Sequence, residues 1–363
     1  MKLYYIIYED FIKERASNVQ ISNTTNFLNS PGIDVNLIFP YKFEMPDRYK
    51  IKSNIIFLFN KTFSKFNKLN ILKFSLKLFS YLRKVDSDSI VYFRHVVLLP
   101  VILLVKLFLP KLKIVYEIHR EVNDSFGKYC EKKLIKKGIK LITISDSLKQ
   151  SYQQQYGVKE NKIQVVHDAV DLETFDININ QFEARKKAHV EEKATVMYIG
   201  SLWTVKGVDI LLGAAKKLPE YNFYFVGKEH ADFVDLRKEF ENLSNVFIKG
   251  MVPHQEVPVL QKAADLLVIP HPKNNLSQSP MKLFEYLASN TPILSVDLDN
   301  IREILPGNSL FFEPENLDDV VVKIKDYFTH QADYINKAKN NIEIARKYSW
   351  QNRSKLIKDF INN

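Results

Sequence analysis

Glycine and cysteine are both scarce in this chain, and each scarcity excludes a class of protein. Only 10 of the 363 residues are glycine. Neither a P-loop sequence nor a G-x-G-x-x-G sequence occurs, so the standard glycine-rich nucleotide loops are absent. The single cysteine, Cys130, excludes an internal disulfide framework and is typical of a reducing cytoplasm. No cluster of cysteine and histidine suggests a zinc site.

Long apolar runs are also missing. The longest, VVLLPVILLVKLFLP at residues 96–110, contains Pro100 and Lys106 and is shorter than the roughly 20 residues that span a bilayer. We therefore predict a buried helix there rather than a transmembrane one. The first segment, MKLYYIIYED, lacks the length and the cleavage site of a signal peptide and is typical of a first β-strand.

Positive charge is concentrated in the first half of the chain. Residues 1–170 hold 28 Lys and Arg against 15 Asp and Glu, whereas residues 171–363 hold 24 against 27. The segment NKTFSKFNKLNILKFSLKLFSYLRK (60–84) combines lysines with helical apolar spacing, which is typical of a helix at an anionic membrane surface. A solvated lysine-rich face is an equally good interpretation. We expect no nucleic-acid partner, because no aromatic-rich basic motif of a known nucleic-acid module appears.

Short β-rich apolar runs alternate with amphipathic stretches along the whole chain, which is typical of βαβ units with parallel sheets. A first series of strands is predicted at residues 3–8, 34–39, 54–59, 89–93, 112–118, 140–144 and 163–167. A second series is predicted at residues 195–200, 222–227, 245–250, 265–270, 292–296 and 309–313. Each series suits one doubly wound sheet. We therefore predict an α/β protein of two doubly wound, Rossmann-like domains that face each other across a cleft.

Lysines accompany two predicted helix starts in the second series. The motif MYIGSLWTVKGVDILLGA (197–214) is a strand, a loop and a helix, with Lys206 at the helix entrance. The motif SPMKLFEYLAS begins with Ser279 as N-cap and Pro280 at the first helical position, followed by Lys282 in the first turn. A first turn normally prefers an acid, so a lysine there indicates an anion site. Either lysine alone is also typical of solvated surface.

In this order the motifs resemble a known family. GSLWTVKGVDILLGA, ADLLVIP and SPMKLFEYLASNTPIL are similar to the second domain of the retaining glycosyltransferases of the GT-B fold, sequence family 4, which transfer a sugar from a nucleotide sugar. The resemblance continues in VVHDAVDLETF (165–175), a linker motif, and in DNIREIL (299–305) and YSWQNRSKLI (348–357). In the first half, ASNVQIS (16–22) and YEIH (116–119) resemble the opening loop and the inter-domain histidine segment, less specifically.

The resemblance implies three parts of the chain. They are an acceptor-side Rossmann-like domain at residues 1–170, a nucleotide-sugar-binding domain at residues 171–345, and a C-terminal helix at residues 346–363 that packs back on the first domain. The boundary falls in the polar segment 171–194, which lacks a strong strand. The enzyme would be cytoplasmic, or peripheral on the inner face of the cell membrane.

The implied function is transfer of a sugar, with retention, from a nucleotide diphosphate sugar to a glycan or lipid-linked acceptor in cell-surface polysaccharide or glycoconjugate synthesis. A nucleotide-sugar epimerase or another GT-B enzyme is an alternative with the same fold. An alternative of another class is a non-catalytic protein that binds a nucleotide sugar or a nucleic acid. No cofactor beyond the donor is expected, and no metal is expected because lysines replace a carboxylate pair beside the diphosphate.

The resemblance also implies a donor site. Lys206 matches the family's phosphate-binding lysine, and Glu285 matches the second glutamate of its E-x7-E motif, which hydrogen-bonds the ribose. Bond cleavage leaves a diphosphate, so the chemistry needs positive charge on the leaving group. Ser201 stands after Gly200 where the family often has arginine, and Lys282 is expected to replace that charge.

The first glutamate of the same motif would fall at Ser277, which leaves the sugar specificity open. Further donor contacts are expected at Ser279, Pro280 and Met281. In the first domain, His119 is expected beside the donor sugar as a catalytic group, although a structural histidine is the alternative. Two more residues, Asn18 and Glu121, are expected to contact the acceptor or the phosphates, unless they only cap helices.

Overall fold

A computed structural model of the chain describes residues 1–13, 15–61, 67–273, 281–305 and 309–363. The described residues form two compact units. The first consists of Met1–His167 together with Trp350–Asn363, and the second of Asp168–Ser349. The domain bounds predicted above, at residues 1–170, 171–345 and 346–363, differ from these units by a few residues.

The first unit is a seven-stranded, all-parallel sheet with helices on its faces. Its strands are β1 (Lys2–Ile6), β2 (Asp34–Tyr41), β3 (Asn54–Phe59), β4 (Ile90–Phe93), β5 (Lys113–Ile118), β6 (Lys140–Thr143) and β7 (Ile163–Val165), in the order β3-β2-β1-β4-β5-β6-β7. Its helices are α1 (Ala16–Leu28), α2 (Lys68–Leu82), α3 (Leu99–Phe108), α4 (Ser125–Lys136), α5 (Asp146–Tyr156) and, from the end of the chain, α16 (Trp350–Asn362).

The second unit is a six-stranded parallel sheet. Its strands are β8 (Thr195–Ile199), β9 (Asn222–Val226), β10 (Val246–Lys249), β11 (Leu266–Ile269), β12 (Ile293–Val296) and β13 (Leu310–Phe312), in the order β10-β9-β8-β11-β12-β13. Its helices are α6 (Leu172–Phe175), α7 (Gln181–Ala188), α8 (Val208–Lys217), α9 (Ala231–Arg237), α10 (Val257–Ala263), α11 (Met281–Ala288), α12 (Asp299–Arg302), α13 (Leu317–Thr329), α14 (Gln331–Ala338) and α15 (Asn341–Lys347).

Both sheets follow the doubly wound pattern that the sequence predicts. In each, the strand order reverses beside the first strand of the unit, so β1 lies between β2 and β4, and β8 lies between β9 and β11. Central strands such as β8 are buried along their whole length, because helices cover both faces of a parallel sheet. The reversal leaves a crevice at the carboxyl ends of the strands, which is where ligands bind in such sheets. The predicted cleft between the two units stays a prediction.

The C-terminal helix α16 belongs to the first unit, as the resemblance implies. Its apolar face, with Ile357 and Ile361, joins the core that includes Ile21 and Leu28 of α1. Lys358 Nζ donates to the carbonyl of Phe27 at 2.9 Å. The end of the chain is therefore anchored by both apolar packing and hydrogen bonding.

The helix predicted to be buried at residues 96–110 is only half buried. It forms as α3, whose buried residues are Leu99, Val101, Ile102 and Val105 and whose exposed apolar residues are Leu104, Leu107 and Phe108. The apolar run covers all sides of the helix, but a helix on the face of a sheet has one side in contact with that sheet. No helix formed by the described residues is long and apolar enough to cross a bilayer.

Candidate functional site

Two glycines shape the crevice of the second unit at the ends of β8 and β9. Gly200 N–H donates to the carbonyl of Val226 at 2.8 Å, and Gly227 follows that residue with φ of 144°. A Cβ atom on Gly227 would lie 1.9 Å from the carbonyl oxygen of Gly200. Because only glycine permits this approach, the two strand ends meet closely and stay open to a ligand.

Lys206 lies on the turn between β8 and α8. The turn ends at Gly207, whose φ of 75° is left-handed, and α8 begins at the next residue. A Cβ atom on Gly207 would lie 1.7 Å from the carbonyl oxygen of Pro270, which follows β11. The turn is therefore held against the end of a neighbouring strand. Burial lowers the pKa of Lys206, as expected for an ammonium in a crevice.

Lys282, on α11, extends into the same crevice of the second unit. Its Nζ lies 3.9 Å from the centroid of the Tyr198 ring, is shielded from solvent and has no hydrogen-bond partner among the described residues. A Cβ atom on Gly200 would lie 2.5 Å from this nitrogen, so glycine makes room for it. Burial, and then the charge of Lys206, lower the pKa of Lys282 to about 7. An ammonium group that lies over an aromatic ring and has no hydrogen-bond acceptor can bind an anion.

Tyr286 joins helix α11 to β8. Its hydroxyl accepts the N–H of Ile199 at 2.9 Å and also donates to the carbonyl of Ile199 at 3.4 Å. Glu285 precedes it on the same helix and is partly buried, with Oε1 3.8 Å from Nε2 of His254. Met281 is the first residue of α11. Glu285 thus lies about one turn beyond Lys282 on the same helix.

Three predicted donor residues, Ser277, Ser279 and Pro280, lie outside the described residues. Ser201, by contrast, is described and exposed, and its carbonyl accepts the hydroxyl proton of Tyr198 at 3.1 Å. Tyr198 is therefore held by Ser201 while its ring carries Lys282. The lysine lies beside the position where the family often has arginine.

His271 is a further residue of this crevice that the motifs did not predict. This residue follows β11 and Pro270, is 4% exposed, and its Nε2 has no hydrogen-bond partner among the described residues. Burial, and then the charges of Lys282 and Lys206, hold its pKa well below the usual range. Its position just after a strand end is the signal that drew attention to His119, and it could have found His271 as well.

In the first unit, the crevice contains a buried carboxylate with four donors. Glu117, in β5, is completely buried and accepts hydrogen bonds from Nη2 of Arg353 at 2.6 Å, Nε2 of Gln20 at 2.7 Å and the hydroxyl of Tyr92 at 2.5 Å. The fourth contact is to Nε2 of His119 at 2.7 Å. Burial alone would raise the pKa of Glu117, but the opposing charges of Arg353, His119 and Arg94 hold it well below the usual range.

This carboxylate orients the predicted catalytic histidine. His119 follows β5, and its imidazole is partly exposed while its Nε2 contacts the fully buried Glu117. A carboxylate on one ring nitrogen fixes the orientation of an imidazole. The end of β5 thus presents a histidine that is oriented by Glu117 and partly exposed.

The acceptor or phosphate contacts of Asn18 and Glu121 stay predictions, and the structure shows the present surroundings of both residues. Asn18 is not in the loop after β1 but in the first turn of α1, fully buried, where its Nδ2 donates to the carbonyls of Asp10 and Lys13 at 3.0 and 2.8 Å. It holds that loop closed. Glu121 is exposed and accepts the hydroxyl proton of Ser151 at 2.5 Å, so it does not cap a helix.

Two family models match the chain. The one described as Glycosyltransferase Family 4 matches residues 17–174, and the one described as Glycosyl transferases group 1 matches residues 180–348. Together they take in most of the chain. The chain belongs to the group 1 glycosyltransferases of family 4.

Relatives of this family 4 chain include an uncharacterized glycosyltransferase of Methanocaldococcus jannaschii, 26% identical over 232 residues, which are 59% of this chain and 57% of the relative. A putative teichuronic acid biosynthesis glycosyltransferase of Bacillus subtilis is 24% identical over 49% of this chain and 45% of the relative. An O-antigen chain mannosyltransferase of Salmonella typhimurium is 22% identical over 66% and 64%. The chain matches less than two thirds of the length of each.

Solved structures match the family 4 chain over nearly its whole length. A glycosyltransferase from Rickettsia africae has a TM-score of 0.80 at 18% identity, covering 99% of this chain and 97% of that one. Anabaena HepE in complex with UDP and glucose has a TM-score of 0.77 at 16% identity, covering 100% and 99%. At these identities the likeness concerns the fold, and the predicted pair of Rossmann-like domains of the GT-B type is confirmed.

Proposed function

We propose that the protein transfers a sugar from a nucleotide diphosphate sugar to a glycan or lipid-linked acceptor in cell-surface polysaccharide or glycoconjugate synthesis. One observation carries the proposal. Lys206 and Lys282 converge on the crevice of the second unit, at the strand ends shaped by Gly200 and Gly227. This unit contains the segment that matches the group 1 model, and a structural neighbour binds UDP and glucose.

In the proposed mechanism the lysines stabilise the leaving diphosphate. When the anomeric bond breaks, negative charge develops on the phosphate oxygens, and buried ammonium groups act most strongly where water is excluded. Glu285 is proposed to accept hydrogen bonds from the ribose hydroxyls, since a carboxylate offers two acceptor oxygens to a vicinal diol. His119, held by Glu117, is proposed to contact the donor sugar.

We propose that the transfer proceeds with retention and without a metal ion, because the lysines supply the charge that a cation would otherwise supply. Nuclear magnetic resonance of the product can read the anomeric configuration directly, and inversion would contradict the first point. Activity that stops with EDTA and returns with Mg²⁺ would contradict the second.

Donor identity can be tested by thermal shift. The protein would be screened against UDP, GDP and ADP and their sugars, because a ligand that binds only the folded state raises the melting temperature. The donor that stabilises the protein is then assayed for transfer. Conversion or hydrolysis of that donor with no acceptor present would favour an epimerase or another GT-B activity, and no stabilisation by any nucleotide would contradict the proposal.

Lys206→Ala tests the site itself. We expect turnover to fall by roughly 10²- to 10³-fold, the usual effect of removing one charge-stabilising donor. The matched control is Lys216→Ala, because this lysine is exposed at the far end of the same helix. Equal turnover in the two variants would show that Lys206 does not act on the diphosphate.

We further propose that α2 and α3 of the first unit lie on an anionic membrane surface. Three leucines on successive turns of α2, Leu69, Leu72 and Leu76, are exposed by 58, 56 and 65%. Exposed lysines flank them at Lys68, Lys73 and Lys77. Phe79 packs edge-on against the exposed Phe108 of α3, which brings the two helices together. Apolar side chains between lysines are typical of helices at lipid headgroups.

Vesicle sedimentation tests this surface. Wild-type protein is expected to sediment with vesicles containing phosphatidylglycerol, and less so as salt rises. Leu72→Glu should weaken that binding at least several-fold, because a charge replaces an apolar group at the contact. Val322→Glu on α13 of the second unit is the matched control, since Val322 is exposed by 59%. Absence of salt-sensitive sedimentation would remove this proposal and leave the transfer reaction untouched.

A further inference from the structure

His271 is a buried histidine whose Nε2 atom has no hydrogen-bond partner among the described residues. Only 4% of the residue is exposed. Native structures seldom leave a buried polar side chain unsatisfied, because the group loses water without replacement. Glu117, by comparison, is equally buried and has four partners. The buried, unpartnered Nε2 of His271 therefore suits a polar atom of a ligand.

The neighbours of His271 identify the charge of that ligand. The Lys206–Gly207 turn lies against Pro270, the residue before His271, as the 1.7 Å approach of a Gly207 Cβ atom shows. Both Lys206 and Lys282 act electrostatically on His271. Lys282 Nζ is likewise shielded from solvent and lacks a hydrogen-bond partner among the described residues. Three basic groups repel a metal cation and suit an anion with several oxygen atoms.

We propose that His271 and Lys282 complete the diphosphate site, and that binding of the donor brings both to their fully charged forms. This inference rests on the proposed donor site. In the free protein, burial and the nearby lysines hold the pKa of His271 well below its usual range, and burial and the charge of Lys206 lower the pKa of Lys282, on the ring of Tyr198, to about 7. The two phosphates bring negative charge into the crevice, and each nitrogen takes a proton from the solvent buffer and donates a hydrogen bond to a phosphate oxygen.

The surrounding groups allow this exchange. Among the described residues, Lys206 acts on both His271 and Lys282, Glu285 acts on Lys282, the ring of Tyr198 lies against Lys282, and Tyr286 follows Glu285 on α11. Nε2 of His254 lies 3.8 Å from Oε1 of Glu285. Burial raises the pKa of both tyrosines, so they remain neutral near pH 7. Glu285 raises the pKa of Lys282 but exerts less effect than burial and Lys206. The diphosphate of the donor therefore supplies the negative charge that favours protonation of His271 and Lys282.

Proton uptake tests the inference on the unmodified protein. Binding of UDP-glucose, GDP-mannose and ADP-glucose would be measured by calorimetry at pH 7 in buffers of different ionisation enthalpy, because a sugar nucleotide has no phosphate group that titrates at this pH. With a pKa of about 7, Lys282 accounts for about half a proton. His271 adds up to about one more. We expect more than half a proton to be taken up for each donor bound.

Variants assign the protons. His271→Asn preserves a polar side chain but cannot be charged, and it should weaken donor binding roughly 10- to 100-fold, as for a lost hydrogen bond to a charged group. It should also lower proton uptake by up to one. Lys282→Met should lower uptake by about half a proton. His330→Asn is the control, because His330 is exposed at the end of α13 and paired with Asp326.

Histidine-selective nuclear magnetic resonance of the wild-type protein gives a second, mutation-free measurement. One imidazole signal should change from the neutral to the charged form when the bound nucleotide sugar is added, and should be missing in His271→Asn. Binding without proton uptake, or equal affinity in wild type and His271→Asn, would overturn this inference and leave the proposed function standing. Failure of all three nucleotide sugars to bind would overturn both.

Discussion

Arg353 is the residue of α16 whose loss we expect to be most damaging to the first unit. Its guanidinium is 1% exposed and donates to Oε1 of Glu117 at 2.6 Å, to the carbonyl of Val166 at 2.6 Å and to that of His167 at 2.5 Å. Arg353→Met preserves much of the side-chain length and apolar packing while removing every donor. The substitution therefore isolates the charge and its hydrogen bonds.

The expected loss of stability follows from the contacts that Glu117 keeps when Arg353 is replaced. Glu117 is fully buried and would keep the contacts of Gln20, Tyr92 and His119, but it would lose its only partner with a permanent charge among the four that contact it. Removing one partner of a buried ion pair typically costs about 3 to 5 kcal/mol, because the other charge stays desolvated. Glu117→Gln in the Arg353→Met background should recover part of that loss, since no charge is then left unpaired.

Hydrogen exchange of peptides from β5 and α16 measures this cost locally, which matters because a chain of two units need not unfold in one step. A loss of 3 kcal/mol corresponds to roughly 100-fold less protection of amides that exchange by unfolding of this unit. Arg346→Met is the control. Arg346 forms an exposed pair with Glu343, which should be worth no more than about 1 kcal/mol. Protection in Arg353→Met within threefold of that in Arg346→Met would refute the reasoning.

Three further outcomes are expected. Glu285→Ala should weaken nucleotide binding more than it lowers kcat, because it removes a contact to the ribose and not to the reacting bond; a kcat effect with unchanged affinity would contradict this. Because the pKa of Glu117 is lowered in the folded state, its charge stabilises the protein above the unfolded pKa of about 4.3, and this stability is lost as the pH falls through the folded pKa. Glu117→Gln should therefore flatten the fall of the melting temperature between pH 5 and pH 3. Gly207→Ala should lower the free energy of unfolding by about 2 to 5 kcal/mol, because it adds left-handed strain and a clash with Pro270. Gly138 also has a left-handed φ, of 72°, but open space around it, so Gly138→Ala should cost only the strain, about 1 to 2 kcal/mol. Thermal unfolding measures both.

Much of the proposed donor site was accessible from the sequence because its residues are local to motifs. Lys206 follows a predicted strand, and Lys282 and Glu285 share a predicted helix, so strand ends and helical spacing place them without knowledge of the fold. The same rule applied to the strand before Pro270 would have found His271. Asn18 was misplaced because α1 begins before it, at Ala16, and a short polar residue near a helix start does not reveal on which side of that start it lies.

The Glu117 cluster had a weaker signal. An acid inside the strand LKIVYEI indicates a paired charge, since an unpaired carboxylate is very rarely buried. Its partners lie at Gln20, Tyr92, His119 and Arg353, up to 236 residues away. No local pattern specifies partners at such separations, because they meet only when α1, β4 and α16 pack around β5.

The sequence by itself determined the two parallel sheets, since the alternation of apolar strands and amphipathic helices is a local property and each strand carries its own burial pattern. It also determined the chemical types at the strand ends. Only the tertiary structure decided which of these groups are bonded and which are not. Glu117 is neutralised by Arg353 from the far end of the chain, whereas His271 and Lys282 are brought together without hydrogen-bond partners among the described residues. Burial and charge act through space, and the folded chain alone sets those distances.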